Sequence, residues 1–280
     1  MSDESCQGKD PTILREQAYA DDSLLDVRRR THQLYSVDPV DFGRWTLERL
    51  PWRGGERVLD VGCGPGDLLR GMARHGDTWS MLVGSDFSPG MAVEAVQAAS
   101  GLPVRLLVSD AQVNPFPDGT FDVVMARHML YHVPDIDGAV AEAARVLCPG
   151  GYFLTTTNGA STMPEYRELW ERAARRFPCV AKPETLTHRF CLENGPTFLE
   201  PHFARIKVHT LPGTLRFPTA QPFVDYIASA RALGMLPGHT EAEWRAVLDF
   251  MRAEAEAIVA QQGRFDVTKI TGAVVGIKGD

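Results

Sequence analysis

Residues Val58-Leu59-Asp60-Val61-Gly62-Cys63-Gly64-Pro65-Gly66 end an apolar run in three glycines at alternate positions. A helix is expected to start near Asp67. Glycine lets the backbone turn sharply and lets a ligand approach without meeting a Cβ. A dinucleotide fingerprint places its third glycine after two intervening residues, so that a pyrophosphate meets the helix N-terminus. Here that position is Asp67, a carboxylate where phosphate charge would sit. A cofactor without phosphate, and with a positive centre, fits better. Two more carboxylates follow. Asp86, 20 residues after Gly66, can accept two hydrogen bonds from a ribose diol, and Asp110 can accept from an adenine amine. Either aspartate alone could be a turn or helix cap; the joint spacing speaks for a nucleoside. His128 and His132 are the placed candidates for acid–base work, His128 emerging where a strand ends and His132 preceding a Val-Pro-Asp turn. Each could instead serve the backbone.

The elements that must carry these groups alternate. Short apolar runs at 57–61, 80–85, 104–109, 121–126 and 151–157 read as strands too apolar for one wet face, as in a parallel sheet covered on both sides. Between them, Ser88-Pro89 opens a helix with Ala92, Ala95, Val96 and Ala99 inward and Gly101 after its end. Another helix runs from about Asp137, with Val140, Ala143 and Leu147 inward. Repeated βα units imply a doubly wound sheet, whose ligands bind at the carboxyl ends of the strands. Residues 1–11 read as a loose tail, and 12–50 as two or three helices forming an N-terminal lid. The last of these is expected to have Asp38 as N-cap and Pro39 in its first turn, with Val40, Gly43, Leu47 and Leu50 on one face. Residues 51–280 form the main domain, with insertions at about 159–203 and 217–262. Within them 164–177, 222–233 and 240–262 read as helical, 204–217 as one or two strands and 267–277 as a final strand.

Composition narrows the function. Lys plus Arg total 29 against 36 Asp plus Glu, a net charge of −7 that gives no general attraction for nucleic acid or anionic membrane. The run Arg28-Arg29-Arg30, with Asp21, Asp22 and Asp26 before it, reads as a solvated helix face. Five cysteines without a CxxC pair fit neither a zinc site nor a disulfide framework. The N-terminal residues lack the basic-then-apolar order of a signal peptide, and no apolar run approaches a membrane span, so a cytoplasmic location is expected.

Together VLDVGCGPG at 58–66, SDFS at 85–88, SDAQ at 109–112, PFPDGTFDVV at 115–124, YHVPD at 131–135 and RVLCPGG at 145–151 resemble the class I S-adenosylmethionine-dependent methyltransferases. The similarity is nearest to the small-molecule branch (type 11) that includes quinone, sterol, sugar and natural-product enzymes. It implies an α/β, seven-stranded, mostly parallel Rossmann-like sheet with its last strand antiparallel. It also implies S-adenosyl-L-methionine as cofactor, with Gly62, Cys63, Gly64 and Gly66 passing under it and Asp60 near its amino end. Asp86 and Phe87 would hold the ribose side, Asp110 and Ala111 the adenine, and Arg127 with His128 would face the methyl group. The acceptor would be a small, partly apolar metabolite methylated at O, N or C. A non-catalytic cofactor-binding protein or a non-methylating enzyme is the alternative. Phe177, Phe190, Phe198, Phe217, Phe223 and Tyr226 could line an acceptor pocket or pack as core. Tyr19 and Tyr35 could contribute to a lid or pack within helices. A metal-assisted mechanism would want oxygen ligands after the fourth and fifth strands, where the chain has Arg127, His128 and Asn158, so no metal is expected.

Overall fold

The structure, a computed structural model, describes residues 19–74, 79–181, 186–236 and 238–280. The tail at 1–11 and the start of the lid segment lie outside the described residues.

Two helices come first, α1 (Ser23–Tyr35) and α2 (Phe42–Leu47). Then follow β1 (Arg57–Val61), α3 (Asp67–Arg74), β2 (Met81–Asp86), α4 (Pro89–Ala98), β3 (Val104–Val108) and β4 (Phe121–Arg127). A short turn of helix at Leu130–His132 leads to α5 (Ile136–Val146) and β5 (Leu147–Asn158). Beyond it lie α6 (Pro164–Arg176), α7 (Leu186–Arg189), α8 (Gly195–Leu199) and β6 (Arg205–Phe217). The last elements are α9 (Gln221–Ser229), α10 (Arg231–Gly234), α11 (Glu241–Gln262) and β7 (Phe265–Ile277).

The strands form one seven-stranded sheet in the order β3-β2-β1-β4-β5-β7-β6. β1 to β5 are mutually parallel, and β7 runs antiparallel between β5 and β6. The order reverses direction at β1, so the carboxyl ends of β1 and β4 flank a crevice where open α/β sheets bind ligands.

Period-2 alternation sorts the central strands onto two faces. Leu59, Val124 and Phe153 pack on one side with Val140 and Ala143 of α5. Val58, Val123, Met125 and Leu154 pack on the other with Leu69 and Met72 of α3. Both faces are covered, which is why β1 and β4 read as continuous apolar runs. β3 departs from that expectation. It is the sheet's edge, and its Val108 is 53% exposed.

One cap and one buried face differ from expectation. The helix expected to start at Pro39 starts instead at Phe42, because Asp41 supplies the cap, its carboxylate accepting from the Arg44 amide at 3.0 Å. Val40 is therefore outside the helix and exposed. In α4 the Ser88 cap and the following Pro89 stand as read, but Met91, not Val96, completes the buried face; Val96 is 57% exposed.

β6 and β7 pair over 13 residues each, while β5 covers only Gly272 to Ile277 of β7 with Thr271 as the last partner. The remainder of the pair projects as a two-stranded ribbon past the sheet. On it sits a second core: Trp170 and Ala173 of α6, Phe223 and Ile227 of α9, and Trp244, Val247 and Met251 of α11, against Phe217, Phe265 and Val267. α11 is set by a Thr240–Glu243 capping box and stopped by Gly263 in the left-handed region. Phe217 and Phe223 thus belong to this core, Phe190 to the sheet's core, and Phe177 and Phe198 pack against them; none of the five lines an acceptor pocket.

Candidate active site

The carboxyl ends of β1, β2 and β4, helices α1 and α2, and the β6–β7 ribbon enclose an open cavity of about 1390 Å³. That exceeds the roughly 300–1,000 Å³ of a pocket built for one small molecule. Gly62, Cys63, Gly64, Asp86, Phe87, Asp110, Ala111, Arg127, His128 and His132 all line it.

At one end lies the glycine loop. Gly62 and Gly64 have φ of +65° and +56°, a conformation that side chains rarely adopt. A Cβ on Gly62 would also meet Met129 at 2.8 Å. Gly66, expected under the cofactor, does not line the cavity. It packs against α4, where an added Cβ would lie 3.2 Å from Ala95. Asp60 does not line the cavity either. It is fully buried behind the loop, with one oxygen 3.2 Å from Arg127 Nη2 and the other without a partner. Burial raises its carboxyl pKa, and the adjacent guanidinium opposes that rise.

Asp86 ties the loop to the next strand end. One carboxylate oxygen accepts from the Gly64 amide and the other from the Ser88 amide, both at 2.8 Å. Burial still pushes its pKa up, with those two amides pulling the other way. Each oxygen keeps a lone pair for a ligand hydroxyl. Asp110 is held from the side by Gln112, through its amide at 2.9 Å and its side chain at 2.9 and 3.0 Å. Asp67 is paired with Arg29 and with Arg70, at 2.8 Å, so its charge is spent before any ligand arrives. Two carboxylates facing an open cleft, reached by glycine backbone, suit a nucleoside with diol and amine donors. The residues present fit the cofactor that the resemblance implies.

The other end carries the histidines. His128 has φ of +51°, and its amide donates to the Thr156 carbonyl at 2.9 Å. The ring is 3.4 Å from Thr271 on β7, and Phe42 of α2 lies alongside, 5.5 Å between centroids. Burial pushes its pKa down to about 4, with Arg127 adding to the fall. The imidazole is therefore neutral at ordinary pH and a weak base. His132 Nε2 lies 2.9 Å from the Tyr19 hydroxyl, and its ring packs edge-on against Tyr131. Arg189 holds this turn by donating to the carbonyls of Tyr131, Val133 and Pro134 at 2.6 to 2.9 Å. Tyr19 lines the cavity, whereas Tyr35 packs on Phe217. Of the six aromatic residues considered for an acceptor pocket, Tyr226 alone lines the cavity. Asn158 lines it too, and among the described residues no three His, Cys, Asp or Glu side chains converge to hold a metal.

The basic run is not a uniformly solvated face. Arg30 is exposed, but Arg29 is paired with Asp22, Asp26 and Asp67, and Arg28 lines the cavity. Arg28, His32 and Lys269 escaped the sequence reading. Arg28 and His32, one helical turn apart on α1, could have been found from that i, i+4 spacing; no local signal marks Lys269.

A family described as "Methyltransferase domain" matches residues 59–155, the segment from β1 through β5 that holds the glycine loop and both histidines. Among curated proteins, aklanonic acid methyltransferase DauC of Streptomyces sp. (strain C5) is 36% identical over 146 residues, covering 49% of this chain and 66% of that protein. Demethylmenaquinone methyltransferase of Thermus thermophilus is 40% identical over 107 residues, 38% of this chain and 46% of that one. The matched segments span between 31% and 66% of the first such relatives. Among solved structures, the YcgJ protein of a Bacillus superposes with TM-score 0.59 at 20% identity, over 85% of this chain and 98% of that one, a likeness of fold. No helix among the described residues is long and apolar enough to cross a membrane. With the sheet order, the loop and the matched motifs in agreement, residues 59–155 of this chain are a methyltransferase domain of the class I family, whose methyl donor is S-adenosyl-L-methionine.

Proposed function

We propose that this chain transfers a methyl group from S-adenosylmethionine to an oxygen, nitrogen or carbon atom of a small, partly apolar metabolite, without a metal ion. One observation carries the reading: the glycine loop, Asp86 and Asp110 share a continuous cavity with His128, Tyr131 and Tyr226, and that cavity is larger than one ligand needs. The relatives named for aklanonic acid and demethylmenaquinone support a small acceptor.

The cofactor, when bound, supplies a methyl on a positive sulfonium whose departure leaves a neutral thioether. The chain's work is placement. Asp86 would hold the ribose hydroxyls, Asp110 with Ala111 the adenine, and Gly62 and Gly64 would let the cofactor lie against bare backbone. Helices α1 and α2 and the β6–β7 ribbon would cover the acceptor and keep water out. Alignment of this kind can lower a barrier by about 7–11 kcal/mol. His128, held neutral, would take a proton from the acceptor atom. Its depressed basicity suits an acceptor that is itself readily ionised. His132, locked to Tyr19, would fix the wall beside it.

The test is incubation with methyl-labelled cofactor and a metabolite extract, read by mass spectrometry. One labelled acceptor and a matching amount of S-adenosylhomocysteine are expected, with and without chelator. Calorimetric binding of S-adenosylhomocysteine with no turnover of any extract would leave a cofactor-binding protein only. Tight NAD binding with no heat from S-adenosylhomocysteine would sink the cofactor assignment.

A further inference from the structure

We propose that the acceptor carries an oxyanion, a carboxylate or phosphate monoester, that is bound by Arg28 and Lys269 across the His32 side of the cavity. The inference rests on the methyl-transfer reading and names the substrate class of that same site.

The cations are the reason. Arg28 Nη1 donates to the Ser229 carbonyl of α9 at 2.7 Å, and the guanidinium carbon lies 5.7 Å from the Tyr19 ring centroid. Its Nη2 is buried and has no hydrogen-bond partner. Lys269, on the ribbon strand β7, donates to Ser36 Oγ at 3.0 Å and lies 3.4 Å from His32 Nδ1. Both residues line the cavity, and among the described residues neither is within ion-pairing distance of a carboxylate. Burial pushes the pKa of nearby His32 down to about 3, with Lys269 and Arg28 adding to the fall, so it stays neutral and adds no third positive charge.

The acidic residues of the cavity are already committed. Asp67 is paired with Arg29 and Arg70, Asp86 is tied to the loop amides, Asp110 to Gln112, and Asp41 to the start of α2. Asp38 is exposed. Half-buried cations without a counter-charge are costly, and leaving one hydrogen-bond donor of a guanidinium unmet adds to the cost. An incoming oxyanion would satisfy both. Tyr131 and Tyr226 would supply apolar walls for the body of such a ligand.

The probes are 1-naphthoate, 1-naphthyl phosphate and the neutral 1-naphthalenemethanol. Each is titrated into the full chain, with and without S-adenosylhomocysteine, by calorimetry or tyrosine and tryptophan fluorescence. At least one anion is expected to bind about tenfold or more tighter than the alcohol, and the tighter anion identifies the group. Arg28→Met and Lys269→Met should each erase most of that preference, while Arg28→Lys and Lys269→Arg keep part of it. S-adenosylhomocysteine affinity should stay within about twofold in all four. If the alcohol matches both anions on the wild-type chain, the proposal is wrong, whatever the variants do. It is equally wrong if Arg28→Met abolishes S-adenosylhomocysteine binding, which would make Arg28 part of the cofactor site. Failure of the wild type to bind S-adenosylhomocysteine at all would instead remove the methyl-transfer reading, and the anion preference would still be measurable.

Discussion

Replacing Asp86 with alanine should separate binding from stability. On the ligand side, two charge-assisted hydrogen bonds to a ribose diol are lost, worth roughly 2–4 kcal/mol together, or about 30- to 1000-fold in affinity. On the protein side, the Gly64 and Ser88 amides lose their acceptor, at 2.8 Å each. Both residues border the open cavity, so water can replace the carboxylate. Opposing this loss is the relief of a charge whose burial is unfavourable, since the carboxyl pKa is raised in the fold. The sign follows: a raised carboxyl contributes stability below its unfolded pKa of about 3.9 and loses it as pH climbs through the folded value. At neutral pH the ionised wild-type side chain is therefore a net cost. The two effects should nearly cancel, leaving the melting temperature within about 4 °C of wild type, given ~2–4 °C per kcal/mol in a chain of this size. The variant should also compare better with wild type at pH 7 than at pH 4. Calorimetric titration with S-adenosylhomocysteine measures the first quantity and ligand-free thermal melts the second. Affinity within twofold of wild type would show that Asp86 only brackets the loop. A fall of some 10 °C in step with lost affinity would refute the cancellation.

Other expectations concern different parts of the site. His128→Ala should lower kcat by about 10²-fold or more with cofactor affinity unchanged; a flat pH profile at wild-type rate would mean that placement alone suffices. In the wild type, the acid limb of kcat should fall as His128 is protonated, with its midpoint near pH 4 and not near 6.5. Arg127→Met leaves the Asp60 carboxylate buried and unpaired, costing about 3–5 kcal/mol, and Asp60→Asn added to it should recover most of that in denaturant titrations. His32 and His128 are held neutral in the fold but ionise in the unfolded chain below about pH 6.5. Stability present above that pH should decline as the pH falls toward 4 and then 3, and His32→Gln should flatten the decline.

The half of the site proposed for the cofactor was legible because its geometry is local. The glycine loop, Asp86 and Asp110 each sit where a strand ends, and sequence spacing reports strand ends well. Gly66 and Asp60 show the limit: the motif names them, but Asp60 is buried against Arg127 and does not line the cavity, and Gly66 serves the contact with α4. The acceptor half was hidden because its parts meet only in three dimensions. Arg28 reaches Ser229, and His32 reaches Lys269, across more than 200 residues of chain. Its aromatic residues misled for a physical reason. Phe217 and Phe223 are apolar enough to be needed by the second core, and a core takes them before a wet cavity does. The Asp38–Pro39 start failed on competition between two aspartates, of which Asp41 had an amide within reach.

The position of β7 carries a consequence for how the molecule assembles. β6 has β7 as its neighbour in the sheet, and β7 follows it by some 50 residues, across three helices. During synthesis β5, paired with β4 on one side, must wait with its other edge open, and β6 must wait without its sheet neighbour, until β7 arrives to bridge them. The parallel half of the sheet, with its glycine loop, can close without it, so that end of the cavity can form while the other still lacks the wall bearing Lys269 and Thr271. Such long-range closure is slow, and open strand edges invite pairing with other chains. Amide exchange during refolding should therefore protect β1 and β4 early and the β6–β7 ladder last.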